Sequence, residues 1–118
     1  MFRGVRTVLV FAADPRRSAG WWAEVLDVPA RFDIDGESVY AWVDIAGVEL
    51  GFHPADPERN PPGASTVPYW GVDDLDVVRD RLLAAGCAHH RGPLVVEAGR
   101  RICQLTDPFG FVFGLDGP

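Results

Sequence analysis

Two segments that lie sixty residues apart repeat one local pattern, and this repeat constrains the fold more than any other feature. Val8–Asp14 reads as a strand that ends in a helix start, because Asp14 suits an N-cap and Pro15 suits the first helical position. Val67–Asp74 ends in the same way. Apolar residues at helical spacing follow both segments: Ser18, Ala19, Trp22, Ala23 and Leu26 in the first half, and Leu75, Val78, Leu82 and Ala85 in the second. Each half therefore begins with a strand and a helix.

Three further strands are predicted after each helix. In the first half they are Ala30–Asp35, Val39–Ile45 and Val48–His53, and in the second half they are 94–96, 102–106 and 111–115. The glycines of the last turn and strand also repeat, since Gly47 and Gly51 match Gly110 and Gly114. The pattern predicts an α+β fold of two βαβββ modules in one domain spanning residues 1–118. Module one is 1–54, a Pro-rich linker is 55–66, and module two is 67–118.

Charge and composition exclude several classes of function. The net charge of −6 argues against a nucleic-acid partner, which needs a basic surface. No run of eighteen apolar residues exists, so no membrane span is predicted, and the N-terminus lacks the apolar stretch of a signal peptide. We therefore expect a cytoplasmic protein. Cys87 and Cys103 cannot build a disulfide framework, and Cys103 is more consistent with a small buried thiol than with a nucleophile.

Three motifs resemble those of the glyoxalase/bleomycin-resistance (vicinal oxygen chelate) superfamily. Asp14–Trp22 (DPRRSAGWW), followed by Val25–Val28, resembles the opening of its first helix. Val72–Asp76 (VDDLD), followed by Leu82–Gly86, resembles its second helix. Thr106–Gly110 (TDPFG) resembles its D-P-x-G-N turn, with Phe111 in place of the usual Asn. The order and spacing of these motifs cover nearly the whole chain.

The resemblance implies two modules packed edge to edge, whose concave faces form a cleft, and a homodimer. It also implies metal ligands in the metal-dependent members, namely a His in the first strand of each module and a Glu near the end of the fourth. The corresponding positions here are Thr7, Val67, Gly51 and Gly114, none of which is a credible ligand. We therefore expect no metal and no other cofactor. Glu49, on the same strand face as Gly51, is the one carboxylate that a shifted register could place there.

Strand alternation sorts the side chains between the helix and the cleft. The residues predicted to face the cleft and contact a ligand are Thr7, Phe11, Tyr40, Trp42, Glu49, His53, Tyr69, Arg101 and Cys103. The aromatic members would offer rigid surface to a planar or apolar ligand, and the charged members would orient it. Gly51 and Gly114 would widen the cleft floor.

The favoured hypothesis is a metal-independent protein that binds an aromatic or amphipathic small molecule, such as an antibiotic, as in the bleomycin-resistance branch. The acidic net charge would suit a cationic ligand. The alternative is an enzyme of lyase, isomerase or dioxygenase type that uses Glu49 as metal ligand or general base. A third hypothesis is a domain kept for protein contacts, with its cleft filled by its own side chains. No residue is assigned a catalytic role with certainty, and Glu49 is the candidate.

Overall fold

The structure, a computed structural model, describes residues 1, 3–58, 60 and 66–118. The chain forms two compact units, Met1–Gly63 and Ala64–Pro118. Half of the predicted linker, residues 59 and 61–65, lies outside the described residues. Each unit has the predicted order of one strand, one helix and three strands, so the two βαβββ modules are confirmed.

The first unit is a four-stranded sheet with one helix. Its elements are β1 (Thr7–Ala12), α1 (Pro15–Leu26), β2 (Arg31–Asp35), β3 (Ser38–Ile45) and β4 (Val48–Pro54). The strand order is β1-β4-β3-β2, with β1 parallel to β4 and the other pairs antiparallel. The core lies between α1 and one sheet face, and it contains Val10, Ala12, Ala19, Trp22, Ala41, Val43, Leu50 and Phe52.

The second unit repeats this arrangement. Its elements are β5 (Tyr69–Gly71), α2 (Leu75–Ala84), β6 (Ala88–Glu97), β7 (Arg100–Thr106) and β8 (Val112–Gly117). The strand order is β5-β8-β7-β6, with β5 parallel to β8. The buried residues include Leu75, Leu82, Cys103, Leu105, Phe113 and Leu115.

Both helices begin as the sequence predicts. The Asp14 carboxylate accepts a hydrogen bond from the Arg17 N–H at 3.2 Å, and the Asp74 carboxylate accepts one from the Val77 N–H at 3.1 Å. These bonds satisfy N–H groups that lack partners in the first helical turn. No helix among the described residues is long and apolar enough to cross a membrane.

The turn between β7 and β8 is organised by Asp107, which is buried. Its Oδ1 accepts hydrogen bonds from the backbone N–H groups of Phe109 and Phe111, both at 2.9 Å. This turn has five residues, 107–111, whereas the turn between β3 and β4 has only Ala46 and Gly47. The two turns therefore differ in length by an odd number of residues. Because side chains alternate between the two faces of a strand, residues at the same distance along the chain before the matched glycines face opposite sides of the sheet in the two modules.

The strand β6 is longer than the sequence predicts. The pattern indicated only Leu94–Val96 as a strand, whereas β6 also contains the two histidines His89 and His90. This strand pairs with β7 through three register irregularities. The prediction failed because periodicity is lost at such bulges, where one strand carries extra residues.

Candidate functional site

Each unit has a candidate site on the sheet face turned away from its helix, here called the first open face in the first unit and the second open face in the second unit. On the first, paired positions bring Leu9, Trp42 and Gly51 side by side, because Leu9 and Trp42 are both register partners of Gly51. Side chains that alternate with the core share this face. They are Thr7, Phe11, Tyr40, Asp44, Glu49 and His53, with Arg31, Asp33 and Asp35 from β2.

An aromatic cluster covers the centre of the first open face. The rings of Tyr40 and Trp42 are stacked, with centroids 5.4 Å apart and an interplanar angle of 21°. His53 lies against this pair, 6.5 Å from the Tyr40 ring, and contacts Phe11 edge to face at 6.1 Å. All four side chains are half-buried. The structure thus brings together Phe11, Tyr40, Trp42 and His53, as the sequence predicts, on rigid strands that hold flat surface towards solvent.

Glu49 is held by Tyr40. The Tyr40 hydroxyl donates a hydrogen bond to Glu49 Oε2 at 2.5 Å. Burial raises the pKa of Tyr40 above its ordinary value, and the hydrogen bond and negative charge of Glu49 raise this pKa further. Tyr40 is therefore a neutral hydrogen-bond donor at physiological pH, and one oxygen of Glu49 is already engaged. Thr7, the register partner of Glu49, is exposed at the end of β1.

Tyr40 also fills the space above Gly51. A Cβ atom placed on Gly51 would lie 1.8 Å from the Tyr40 hydroxyl oxygen. In the second unit a Cβ on Gly114 would lie 2.3 Å from ring carbons of Tyr69. The expectation that these glycines widen a floor is wrong, because a tyrosine ring of the same unit lies over each of them.

The second open face is centred on Tyr69 and Gln104. Both are register partners of Gly114, and Gln104 Nε2 donates a hydrogen bond to the Tyr69 hydroxyl oxygen at 2.8 Å. Arg100 lies nearby on the same face and forms a bidentate ion pair with Asp116, at 2.8 and 2.7 Å. This pair lowers the pKa of Asp116. Sequence reasoning missed Gln104, although the apolar alternation of Cys103 and Leu105 was a signal that Gln104 faces away from the core.

The predicted orientation of Arg101 and Cys103 is wrong. Arg101 forms a bidentate ion pair with Asp76 of α2, at 2.9 and 3.3 Å, and so faces the helix. Cys103 and its register partner Leu115 are both buried in the core beneath α2. The prediction assumed that side chains of the second module alternate between faces as in the first. The turn before the last strand has a different length in the two modules, so residues before it face opposite sides. Burial raises the pKa of the Cys103 thiol, so this residue is a poor nucleophile.

The residues present do not fit the metal site of metal-dependent relatives. Two of the four corresponding positions are Gly51 and Gly114, which supply no ligand and are covered by tyrosine rings. Thr7 and Val67 occupy the other two. Within residues 1, 3–58, 60 and 66–118, no three His, Cys, Asp or Glu side chains converge to form a metal site. A single carboxylate, Glu49, is not a sufficient ligand set for a divalent cation.

The comparisons with known proteins agree with this fold. The family model described as Glyoxalase/Bleomycin resistance protein/Dioxygenase superfamily matches residues 4–115, so the chain belongs to this superfamily. No curated protein sequence matches the chain.

Solved structures of the same fold are similar to the chain at low sequence identity. One is a superfamily member from Sphaerobacter thermophilus DSM 20745, with 19% identity and a TM-score of 0.78, covering 98% of this chain and 97% of that one. A second is TnmS3, an antibiotic binding protein from Streptomyces sp. CB03234, with 22% identity and a TM-score of 0.77, covering 99% and 97%. A third is the oxidase ChaP-H2, with 21% identity and a TM-score of 0.64, covering 100% and 95%. These likenesses show the fold alone.

The glycine–tyrosine packing predicts a specific stability loss. Gly51→Ala forces Tyr40 away from its position, and we expect overpacking to cost about 1–3 kcal/mol in the free energy of unfolding. Gly71→Ala is the matched control, since it also lies in a strand and has no atom within 4 Å of the added Cβ. Urea unfolding measures both. A second variant, Gly51→Ala with Tyr40→Ala, should show no further loss beyond Tyr40→Ala, and full additivity of the two changes would contradict the packing.

The Tyr40–Glu49 bond predicts an unusual tyrosine titration. The chain has two tyrosines, so in a Tyr69→Phe variant the phenolate absorbance reports on Tyr40 alone. We expect Tyr40 to stay protonated at a pH where free tyrosine, with a pKa of about 10, ionises. The stability that this raised pKa contributes is complete below about pH 10 and declines as pH rises toward the folded-state pKa. Adding Glu49→Gln should lower the Tyr40 pKa, because the negative charge is removed, and an unchanged titration would contradict the contact.

Proposed function

We propose that this protein binds a planar aromatic or amphipathic small molecule, such as an antibiotic, on the first open face without a metal ion. The observation that carries the proposal is the stacked Tyr40–Trp42 pair, held at alternate positions of one strand and left partly open to solvent. Rigid aromatic side chains of this kind provide contact area at low cost in conformational entropy. Phe11 and His53 extend the same surface.

The charges around the aromatic cluster favour a cationic ligand. Asp33, the register partner of Tyr40, is exposed, and Asp35 lies two residues further along β2 on the same face. Asp44 is paired with Arg31 at 3.7 Å, but both side chains are more than half exposed, so water screens this pair. Glu49 adds a further carboxylate beneath Tyr40. A cation above these rings would gain both cation–π attraction and the field of the carboxylates.

The antibiotic-binding neighbour TnmS3 is consistent with this proposal. It shares the fold and covers nearly the full length of both chains. Its description as an antibiotic binding protein supports small-molecule binding as one use of this architecture, although a fold carries many functions. The residues at the metal positions also support metal-independent binding, because Gly51 and Gly114 have no side chain that could act as a metal ligand.

The homodimer implied by the superfamily resemblance is part of the same proposal. Several apolar side chains on β2 and β6, one edge strand of each sheet, are exposed in the single chain, among them Ile34, Val95 and Val96. Such residues on edge strands are a liability unless another surface covers them. Their exposure supports association of this chain with a second copy.

An enzyme that uses Glu49 as general base is the second candidate. The observation in its favour is the hydrogen bond from the Tyr40 hydroxyl, which fixes Glu49 beside the aromatic surface where a substrate would lie. A positioned carboxylate within reach of a bound carbon acid can remove a proton. The candidate is weaker than simple binding, because Glu49 Oε2 is already occupied by the Tyr40 hydroxyl.

The binding proposal predicts that Trp42 determines affinity for planar cations. We expect proflavine, a planar aromatic cation, to bind the protein in isothermal titration calorimetry. Trp42→Ala should weaken this binding by about tenfold, since a stacked aromatic pair is worth roughly 0.5–1.5 kcal/mol and tenfold corresponds to about 1.4 kcal/mol. Phe32→Ala is the control, because Phe32 is an accessible aromatic residue of the same sheet, 47% exposed, that faces the helix side.

Equal affinity of Trp42→Ala and the native protein for proflavine would overturn the assignment of this face. A naphthalene sulfonate serves as the aromatic anion for comparison, and tighter binding of the sulfonate than of proflavine would contradict the charge argument. Mass spectrometry of the recovered ligand separates the two candidates. Turnover of a bound compound by the native protein, lost in Glu49→Gln while binding persists, would favour the enzyme.

A further inference from the structure

We propose that the second open face holds a site for a small aromatic or apolar carboxylate, with Arg91 as its anion-binding residue. The site is a shallow pocket of about 110 Å³. Its lining residues are Tyr69, Arg91, Leu94, Ile102, Cys103 and Gln104. The pocket lies wholly within the second unit and uses none of the residues assigned to the first open face, so it goes beyond the function proposed above.

A bulge in β6 brings the cation and an apolar side chain to the same face. Arg91 is the register partner of Gln104, and Leu94 is the partner of Ile102. In a regular strand, residues three positions apart point to opposite faces. The register shift between Arg91 and Leu94 inserts an extra residue, so both side chains join Gln104 and Ile102 on the open face.

Gly92 makes this bulge possible. Its φ is +84°, in the left-handed region, and a Cβ atom there would lie 2.9 Å from the Ile102 carbonyl oxygen. A side chain at this position would therefore meet both backbone strain and a steric contact. The close approach of β6 and β7 positions Arg91 beside the pocket.

Arg91 differs from the other arginines of this sheet in its partners. Arg100 is bound to Asp116 at 2.7 Å, and Arg101 is bound to Asp76 at 2.9 Å. Among the residues that the structure describes, Arg91 has no carboxylate within ion-pair distance. An exposed guanidinium that is not neutralised by its own chain is available for a carboxylate, which it can bind through two parallel hydrogen bonds.

The remaining polar groups fit the same ligand chemistry. The Tyr69 hydroxyl oxygen accepts a hydrogen bond from Gln104 Nε2, which leaves the hydroxyl proton available to donate to a ligand. Tyr69 is 42% exposed, so this donor is accessible. Two donors, from Arg91 and Tyr69, thus border a wall formed by Leu94 and Ile102. A carboxylate attached to a ring or short chain would accept hydrogen bonds from these donors and pack its apolar portion against this wall.

The size of the pocket limits the ligand to a single ring or a fragment of that size. Pockets for drug-sized ligands measure about 300–1,000 Å³, several times the volume found here. Benzoate is therefore a suitable probe, and benzamide is its neutral counterpart of nearly the same shape. The comparison isolates the charge, since the ring contacts with Leu94 and Ile102 are common to both.

The test is a titration of the full chain with each probe, followed through the backbone amide signals of an ¹⁵N-labelled sample. We expect benzoate to shift the signals of residues around Arg91, Ile102 and Gln104 with a Kd on the order of 1 mM, and benzamide to bind about tenfold more weakly. Arg91→Gln should reduce benzoate binding to the level of benzamide. Arg101→Gln is the matched control, because Arg101 lies in the same sheet but faces α2, and it should retain the native preference.

Equal binding of benzoate and benzamide to the native protein would overturn the proposal, as would a benzoate preference that survives Arg91→Gln or signal shifts confined to the first unit. A Tyr69→Phe variant provides a second readout, since loss of one donor should weaken benzoate more than benzamide. Proflavine binding to Arg91→Gln distinguishes this site from the first open face. We expect Arg91→Gln to bind proflavine as the native protein does while it loses benzoate binding. If the native protein does not bind proflavine, only the function proposed for the first open face is contradicted.

Discussion

The register of the central strands β4 and β8 determines where every side chain of the two open faces lies. The strand β4 pairs in parallel with β1 and antiparallel with β3, and β8 pairs in parallel with β5 and antiparallel with β7. A shift of one residue in either pairing would exchange the core and open faces. Gly51 and Gly114 occupy equivalent places in this register, and the space above each is filled by a tyrosine. Tyr40 lies on β3, the third strand of its module, whereas Tyr69 lies on β5, the first strand of its module. The two modules therefore cover equivalent glycines with tyrosines from non-equivalent strands.

This packing explains why the residues present do not fit the metal site of metal-dependent relatives. A carboxylate at Gly51 or Gly114 would need the volume that a tyrosine ring now occupies. The polar group left near the first position is the Tyr40 hydroxyl, whose raised pKa keeps it a neutral donor. A neutral donor and aromatic rings recognise ligands by contact and hydrogen bonding rather than by Lewis acidity. These properties are the physical basis of the small-molecule binding that we propose.

Much of the fold was predictable because it depends on local signals that are repeated. Asp14 and Asp74 as N-caps, the apolar stripes of the two helices, and the matched glycines specify both modules without tertiary information. The first open face followed from strict alternation in β3 and β4, which are joined by a two-residue turn. The second open face did not follow from alternation. The five-residue turn around Asp107 reverses the facing of side chains in β7, and the bulge at Gly92 interrupts the alternation in β6. Arg101 was therefore assigned to the wrong face, and Arg91 was overlooked.

The net charge of the chain is a poor guide to what the individual faces can bind. The value of −6 is a sum over both units, but pairing within each sheet decides which charges remain available. On the first open face Asp33 and Asp35 exceed the compensating charge of Arg31. On the second, Asp116 is committed to Arg100, and Arg91 stays without a carboxylate among the described residues. The proposed cation-binding face in one module and the proposed anion-binding pocket in the other are therefore both compatible with an acidic chain, because recognition depends on the charges that remain unpaired on each face.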